Sequence, residues 1–306
     1  MSLPLRVVSV VTIAALLTAS AGRPAGGAQG VPPADLSAAI LARASRTAGA
    51  TVRVVAARLD GRGPRVMINA DSLVHAASTM KVPVMIALAQ AADDGALRLD
   101  DAVALTNRFA SIVDGSPYTL SRTDDSDDAV YARVGERVPI RWLATRMITH
   151  SSNLATNTLL TVVRADSVTA LTRRLGTTRM LVRRGVEDTP AFNAGLNNVT
   201  TASDLAALLV TIATDRAASP QACAWMRDVL FAQAFNSAIP AGLPPGTRVA
   251  HKTGDITRVE HDAAVVYPAR GGAYVLVVLT SGVERQADAR ALIADIARLV
   301  HPAMQR

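Results

Sequence analysis

The sequence contains little lysine, few aromatic residues and a single cysteine. Because Cys223 is the only cysteine, no internal disulfide can form. It lies in an apolar helical pattern, which is typical of a core cysteine and not of a nucleophile. Aromatic residues make up 3% of a chain that is 50% hydrophobic, so we expect a core built from Ala, Leu and Val. This composition excludes fibrous, disordered and disulfide-stapled proteins.

The basic residues are almost all arginines, and they are scattered. The formal net charge is +7, yet no basic run alternates with aromatic residues, so the sequence predicts a soluble surface and no nucleic-acid partner. The five histidines lack the spacing of a metal site. The short sequence patterns typical of dinucleotide-binding proteins, zinc proteases and α/β-hydrolases are missing too. We therefore expect no metal and no organic cofactor.

Residues 1–21 have the layout of a secretory signal peptide. One positive charge, Arg6, precedes an apolar run, and an A-x-A cleavage pattern ends at Ala21. Residues 22–32 follow as a flexible leader. The sequence thus predicts export to the periplasm or the cell exterior as a monomer, with no stable membrane insertion after cleavage. A membrane anchor that is never cleaved is the alternative.

Hydrophobic periodicity predicts strands near both ends of the chain and helices between them. The predicted strands and the closing helix cover residues 51–59, 65–69, 248–252, 263–267, 274–280 and 287–300. We expect an α+β fold with an antiparallel sheet built from both termini. The expected division is an α/β sheet lobe over residues 33–76 and 237–306, and an inserted, mainly helical lobe over residues 77–236, so that the fold is an α/β sandwich plus an all-α lobe.

Four carboxylates fall within five positions at residues 124–128. The glycine turn and distal glutamate of an EF-hand loop do not follow them, which argues against a calcium site. We therefore predict a solvated hairpin tip for this segment.

Both lysines stand in short motifs that need a lysine. Lys81 ends a Ser-x-x-Lys motif at the start of a predicted helix, where its amine can reach the Ser78 hydroxyl. A lysine amine can lose its proton near neutral pH, whereas a guanidinium stays charged. A serine becomes a nucleophile when a neighbouring base takes its proton. Free N–H groups at a helix start can also hold the negative charge that develops on an attacked carbonyl.

Two further polar motifs supply matching chemistry. Ser151 and Asn153, in a loop, offer a hydroxyl that can relay a proton and an amide that can bind a substrate amide. The Lys-Thr-Gly motif at residues 252–254, on a predicted strand, offers a cation and a hydroxyl for a substrate carboxylate. Its glycine lets a substrate approach the strand edge. The backbone N–H of Asp255 can be a second donor to an oxyanion.

In this order, the three motifs resemble those of class A β-lactamases and penicillin-binding proteins. The likeness covers nearly all of the mature chain, including the flanks at residues 76–83, 147–157 and 262–267. The resemblance implies a β-lactamase/transpeptidase-like fold. It also implies these roles: Ser78 as acylated nucleophile, Lys81 as base or proton relay, Ser151 as proton shuttle, Asn153 as a guide for the acyl side chain, Lys252, Thr253 and Gly254 as the carboxylate-binding strand, and Ser78 and Asp255 as oxyanion N–H donors.

Two residues depart from the family pattern without removing a reacting group. Ser152 stands where the family usually has aspartate, which we expect to alter packing more than chemistry. Asp255 stands where a small or hydroxyl residue is common. Because a carboxylate would repel an anionic β-lactam, we expect the Asp255 side chain to point away from the substrate.

The third departure concerns the glutamate that activates the deacylating water in class A enzymes. Glu187 lies in about the right place, but the proline and asparagine of the family motif do not keep their spacing. Counting back from the Thr-Thr pair at 200–201 places Gly185 at the glutamate position instead. Glu187 is therefore either the deacylating base or a surface carboxylate in a shortened loop, with Asp188 as a further candidate.

Three functions fit this sequence. The first is a serine β-lactamase that acylates Ser78 and hydrolyses the acyl-enzyme. The second is a D-alanyl-D-alanine peptidase or slow penicillin-binding protein with poor deacylation. The third is a non-catalytic penicillin-recognising sensor or wall-binding module. The expected partner is a small-molecule β-lactam or a peptidoglycan-like peptide.

Overall fold

The computed structural model describes residues 33–306. The predicted signal peptide, residues 1–21, and the predicted leader, residues 22–32, lie outside the described residues. Within the described part of the chain, no helix combines the length and the apolar character needed to cross a membrane.

Helices and strands alternate along the chain, with most of the helices in its middle. The strands are Thr51–Arg58 (β1), Val66–Ile68 (β2), Val74–His75 (β3), Ala102–Ala104 (β4), Phe109–Ala110 (β5), Pro117–Tyr118 (β6), Arg137–Pro139 (β7), Val199–Thr200 (β8), Arg248–Ile256 (β9), Val259–Tyr267 (β10) and Tyr274–Ser281 (β11). The helices are Pro33–Ala44 (α1), Lys81–Asp93 (α2), Asp128–Tyr131 (α3), Ile140–Thr149 (α4), Asn153–Val163 (α5), Ala165–Arg174 (α6), Thr189–Asn193 (α7), Ala202–Ala213 (α8), Pro220–Phe231 (α9) and Gln286–Met304 (α10), with 3₁₀ turns at Ala77–Met80 and Ile239–Gly242.

Five strands form one antiparallel sheet in the order β2-β1-β11-β10-β9. The N-terminal strands β1 and β2 therefore pair beside the C-terminal strands, and the predicted α+β architecture is confirmed. The sheet places β9, which carries the Lys-Thr-Gly motif, at one edge. An edge strand leaves one side of its backbone free of ladder hydrogen bonds, and this side of β9 lies against the 3₁₀ turn at Ala77–Met80.

The two faces of the sheet carry separate hydrophobic clusters. Side chains of a strand alternate between the faces, so Leu276 and Val278 of β11 pack with α1 and α10. Val275 and Val277, their neighbours in sequence, pack with the helices of the middle segment on the other face. The sheet is thus buried on both sides, which fixes the register of its strands.

Helix α2, which follows the nucleophile motif, is buried all round. Residues 81–89 are all buried. A helix that is apolar on every side belongs inside a core, and here the other helices of the middle segment cover it. Its first residues are therefore held rigidly.

The acidic segment at residues 124–128 is not simply a solvated hairpin tip, and this prediction was wrong. Asp127 is 2% exposed, caps α3 through the N–H of Ala129, and forms an ion pair with Arg146. Asp125 is partly buried and accepts hydrogen bonds from the start of α5. A carboxylate is buried only where such donors or cations offset its loss of hydration. The segment therefore contacts and stabilises three helices, α3, α4 and α5.

Candidate active site

Ser78 lies where a 3₁₀ turn leads into α2. The turn is reached through Ala77, whose φ of +45° lies in the left-handed region that an alanine rarely adopts. Two contacts hold this conformation: the Ala76 N–H donates to Asn198 O at 2.8 Å, and the Ala77 N–H donates to His75 Nδ1 at 3.0 Å. Such strain persists only where the surroundings enforce it, and it often marks a functional site.

The Lys81 amine is fully buried beside the Ser78 hydroxyl. Its Nζ lies 2.9 Å from Ser78 Oγ, 2.6 Å from the Ser151 carbonyl oxygen, 3.2 Å from Ser151 Oγ and 2.9 Å from Asn153 Oδ1. Burial lowers the pKa of Lys81 to about 7, against the opposing pull of three nearby carboxylates. Four oxygens surround this amine, which has at most three N–H bonds even when it is charged. In its neutral form the amine has a lone pair, which can accept a proton from the hydroxyl of Ser78 or Ser151.

Ser151 connects the two lysines. Its backbone φ is +58°, and its Oγ lies 3.0 Å from Lys252 Nζ as well as 3.2 Å from Lys81 Nζ. Lys252 also donates to Thr253 O at 2.8 Å. Burial, and then the charge of Lys81, lowers the pKa of Lys252 well below its ordinary value. The Ser151 hydroxyl thus lies on a continuous proton path between the two amines.

Gly254 allows β9 to approach the nucleophile. A Cβ at this position would lie 2.9 Å from the backbone nitrogens of both Ser78 and Thr79, so only glycine fits. This close approach brings the β9 edge and the start of α2 together, as an oxyanion site requires. The Asp255 carboxylate accepts a hydrogen bond from the Gln286 side chain of α10 at 3.1 Å. Its side chain therefore contacts α10, while Asp255 also lines the active-site cavity.

A buried polar cluster holds the Lys-Thr-Gly strand in place. His251, next to Lys252, lies 2.9 Å from Asp262 Oδ1 through Nδ1 and 3.2 Å from Asn236 Oδ1 through Nε2. The other oxygen of Asp262 accepts from the Ile239 N–H at 2.9 Å. Sequence reasoning had no role for His251, since a lone histidine on a strand gives no pairing signal.

The Glu187 carboxylate is bound within the site. Its Oε1 accepts a hydrogen bond from Asn153 Nδ2 at 3.1 Å, and its Oε2 accepts from the Ser121 N–H at 2.9 Å. Glu187 lines the same cavity as Ser78, and its backbone φ is +61°. Asn153 touches Lys81 through its carbonyl oxygen and Glu187 through its amide nitrogen. The Glu187 carboxylate is therefore held by two hydrogen bonds inside the cavity, and its role as the deacylating base stays a prediction.

The loop that carries Glu187 is anchored by Asn157, which sequence reasoning had not assigned a role. Asn157 accepts from the Val186 N–H at 2.6 Å and donates to Val186 O at 3.0 Å. Gly185 packs closely beside this anchor, since a Cβ there would lie 2.7 Å from Tyr118 Oη and 2.8 Å from Asn157 Oδ1. A larger residue at position 185 would have to displace one of these two side chains. Asn157 lies four residues after Asn153, so the shared helix face was a usable signal.

Asp188 is a structural residue. It is fully buried, accepts from Ser111 Oγ at 2.7 Å and the Ile112 N–H at 3.0 Å, and caps α7 through the Ala191 N–H. These donors hold both carboxylate oxygens. Asp188 therefore anchors the loop.

Asp125 supplies the carboxylate that the second motif lacks. The Ser152 hydroxyl caps α5 by accepting from the Ala155 N–H, and it donates to Asp125 Oδ2 at 3.2 Å. The same oxygen accepts from the N–H groups of Asn153 and Leu154, both at 2.9 Å. With a serine in place of the aspartate, Asp125 is thus the residue whose carboxylate stabilises the start of α5. This is a difference in packing and not in a reacting group.

One cavity of about 520 Å³ contacts part of the predicted site and the loop at residues 184–198. The lining includes Ser78, Ser151, Asn153, Glu187 and Asp255. Among residues 33–306, no group of three or more His, Cys, Asp or Glu side chains is arranged to hold a metal ion. The cavity combines a buried amine, a hydroxyl at a helix start and bound carboxylates, which is the donor set of acyl transfer.

Comparisons with known proteins agree with this geometry. None of the curated proteins matches the sequence. Similar solved structures include a β-lactamase from Sphaerobacter thermophilus, with 26% identity, 90% of this chain and 98% of that chain covered, and a TM-score of 0.76. A variant of PBP-A, solved as an acyl-enzyme complex with penicillin G, has 25% identity, 89% and 97% coverage and a TM-score of 0.75.

A third similar structure is a variant of the last common ancestor of Gram-negative bacteria class A β-lactamase. It has 27% identity, 88% of this chain and 98% of that chain covered, and a TM-score of 0.74. The family model of the β-lactamase enzyme family matches residues 35–304, nearly the whole of the described chain. The chain is therefore a member of the β-lactamase enzyme family.

Proposed function

We propose that the protein is a serine β-lactamase that opens the β-lactam amide through an acyl-enzyme on Ser78 and then hydrolyses that ester. The observation that carries this proposal is the contact of Lys81 Nζ with Ser78 Oγ at 2.9 Å, made by an amine whose burial lowers its pKa to about 7. An amine with this pKa is divided between its neutral and charged forms at neutral pH, which suits a general base.

In acylation, Lys81 takes the Ser78 hydroxyl proton while Oγ bonds to the lactam carbonyl carbon. The backbone N–H groups of Ser78 and Asp255 hold the negative charge on the carbonyl oxygen. The carbon–nitrogen bond then breaks, and the leaving nitrogen receives a proton from Ser151. Because Ser151 Oγ lies within 3.2 Å of Lys81 and 3.0 Å of Lys252, this proton is replaced from a lysine.

The substrate carboxylate binds to Lys252 and Thr253. The Lys252 amine is fully buried, so a carboxylate that enters the cavity restores the charge that burial disfavours. Binding and charging of the amine are therefore coupled, which favours anionic substrates.

Deacylation uses Glu187 as the base for water. The water oxygen bonds to the ester carbonyl carbon as Glu187 takes a water proton, and Ser78 Oγ leaves and regains its proton. Support comes from the hydrogen bond between Glu187 and Asn153, which links the carboxylate to the Lys81 contact set. Asn157 positions the backbone beside Glu187.

A D-alanyl-D-alanine peptidase or slow penicillin-binding protein is the second candidate function. One observation favours it: both oxygens of Glu187 already accept hydrogen bonds, from Asn153 and from the Ser121 backbone. A carboxylate held in this way is a weaker base for water until a donor is released. The same acylation would then give a long-lived ester.

The deciding experiment is a time course of intact mass for the mature protein mixed with benzylpenicillin. A penicilloyl adduct that forms and clears as the drug is consumed supports the β-lactamase. An adduct that forms and persists supports the peptidase or penicillin-binding function. If Ser78→Ala retains an adduct, or if the native chain forms none, the acyl-enzyme proposal fails. Glu187→Gln is expected to acylate normally and to keep its adduct.

A further inference from the structure

One end of the active-site cavity contains a cation that forms no ion pair, Arg184, although the charge of nearby Asp188 acts on it. Arg184 borders this end and is 6% exposed. Its terminal nitrogens donate to Gly185 O at 3.0 Å and Asn197 Oδ1 at 2.9 Å, and among residues 33–306 its Nε has no acceptor. No carboxylate of the described chain forms an ion pair with Arg184. The nearby Asp188 is held by Ser111 and Ile112, which leaves the guanidinium without a paired anion.

A second donor without a partner lies at the same end of the cavity. The Ala77 N–H donates to His75 Nδ1, so the neutral imidazole carries its hydrogen on Nε2. Nε2 is buried and has no acceptor among the described residues. Burial, together with the charge of Arg184, lowers the pKa of His75 to about 4, so the ring stays neutral under ordinary conditions.

Two exposed apolar side chains line the same cavity as these two donors. The Phe192 ring lies 5.8 Å from the Arg184 guanidinium carbon and is 51% exposed, and Ile256 at the end of β9 is 36% exposed. Exposed apolar side chains at the rim of a cavity favour contact with an apolar part of a ligand. Buried donors without acceptors are costly, and they favour a ligand that brings an acceptor.

We propose that this end of the cavity binds substrates whose acyl side chain has an apolar body and ends in a carboxylate. The carboxylate would accept from Arg184 and His75, while Phe192 and Ile256 contact the chain that leads to it. A carboxylate matches this pair because it has two oxygens and a charge opposite to that of the guanidinium. The inference rests on the proposed function, since it concerns the acyl group that is transferred to Ser78.

The cavity also has a feature that would favour a positively charged acyl side chain. Asp124 is exposed and lines the same cavity. A side chain that ended in an ammonium group would be attracted to this carboxylate. Charge at the end of the acyl chain therefore reports whether Arg184 or Asp124 attracts it.

The test uses three 6-acylaminopenicillanates that differ only at the end of a four-methylene acyl chain. The ends are a carboxylate (adipoyl), a methyl group (hexanoyl) and an ammonium group (5-aminopentanoyl). We expect the carboxylate form to have a kcat/KM at least about tenfold above that of the methyl form, the usual range for a charged hydrogen bond. Equal values for the three, or the highest value for the ammonium form, overturn the inference while the acyl-enzyme function stands. If no form acylates Ser78, the proposed function itself fails.

Two variants assign the preference to these residues. His75→Asn keeps an acceptor for the Ala77 N–H and removes the Nε2 donor, and Arg184→Gln removes the cation. In each variant we expect the ratio of the carboxylate to the methyl kcat/KM to fall severalfold toward one. Arg270→Gln, at an exposed site distant from the cavity, is the matched control and should keep the native ratio. The native enzyme alone already gives the ratio of the carboxylate to the methyl kcat/KM. The preference can therefore be tested even if one of the variants fails to fold.

Discussion

At the scale of single residues, the two lysines differ in the chemical property that matters at each position. In the proposed function, Lys81, whose burial lowers its pKa to about 7, must lose a proton, whereas Lys252 must present a charge to the substrate carboxylate. We therefore expect Lys81→Arg to lower the acylation rate by about 10²–10⁴-fold, because a guanidinium cannot accept the Ser78 proton. Lys252→Arg, the matched variant, should mainly raise KM. Stopped-flow acylation with a chromogenic cephalosporin measures both. Normal acylation by Lys81→Arg would show that another group is the base.

The pH dependence of acylation follows from the same amine. Burial lowers the pKa of Lys81 to about 7, and only the neutral form takes the Ser78 proton. The acylation rate should therefore be low at pH 5, rise about tenfold per pH unit below 7, and level off above it. A pH profile of kcat/KM for a substrate whose own groups do not titrate in this range checks the sign. A rate that falls as the pH rises through 7 would contradict the assignment.

At the scale of secondary-structure elements, two glycines bring the parts of the site together. Gly254 lets β9 approach the start of α2, and Gly185 lets the Glu187 loop pack on Asn157 and Tyr118. Gly254→Ala should therefore slow acylation, since its Cβ would push the strand away from the nucleophile. Gly185→Ala should slow deacylation more than acylation, because it displaces the loop that holds Glu187. Single-turnover kinetics separate the two steps, and the same step slowed in both variants would contradict this division.

Glu260 connects β10 to α10 through Arg290, with 3.1 Å between Glu260 Oε1 and Arg290 Nε. It is 3% exposed, and burial raises its pKa to about 7. The folded state therefore binds the proton of Glu260 more tightly than the unfolded chain does. This contribution to the stability of the folded state is complete below the ordinary pKa of 4.5, and it is lost as the pH rises through about 7.

Replacing this acid with a neutral amide should remove the pH dependence. Glu260→Gln is expected to flatten the fall in melting temperature between pH 5 and 8 that Glu260 causes. Its advantage at pH 8 should be about 1–3 kcal/mol. Thermal melts of the native chain and the variant at matched pH values measure the difference. Parallel pH profiles for the two proteins would exclude Glu260 as the source.

At the scale of the whole molecule, the sequence predicted the parts that depend on periodicity and local motifs. The antiparallel sheet and the Ser78–Lys81 contact follow from alternating strands and from spacing along one helical turn. It did not predict contacts made by loops across long sequence separations. Ser121 reaches Glu187 over 66 positions, and Asp125 reaches Asn153 over 28. Polar loop residues carry no periodic signal, so their partners are set only when the helices pack.

The packing of both hydrophobic clusters on one sheet predicts that residues 33–306 unfold as a unit. Ile296 of α10 and Cys223 of α9 are buried on opposite sides of this sheet. Ile296→Ala should destabilise the fold by about 2–5 kcal/mol. In this variant, the urea midpoint measured by labelling of the Cys223 thiol should shift by the same amount as the midpoint measured by circular dichroism. The reason is that loss of α10 exposes the sheet, and the same sheet also supports α9. Labelling that keeps its native midpoint while circular dichroism shifts would mean that the two sides of the sheet unfold separately.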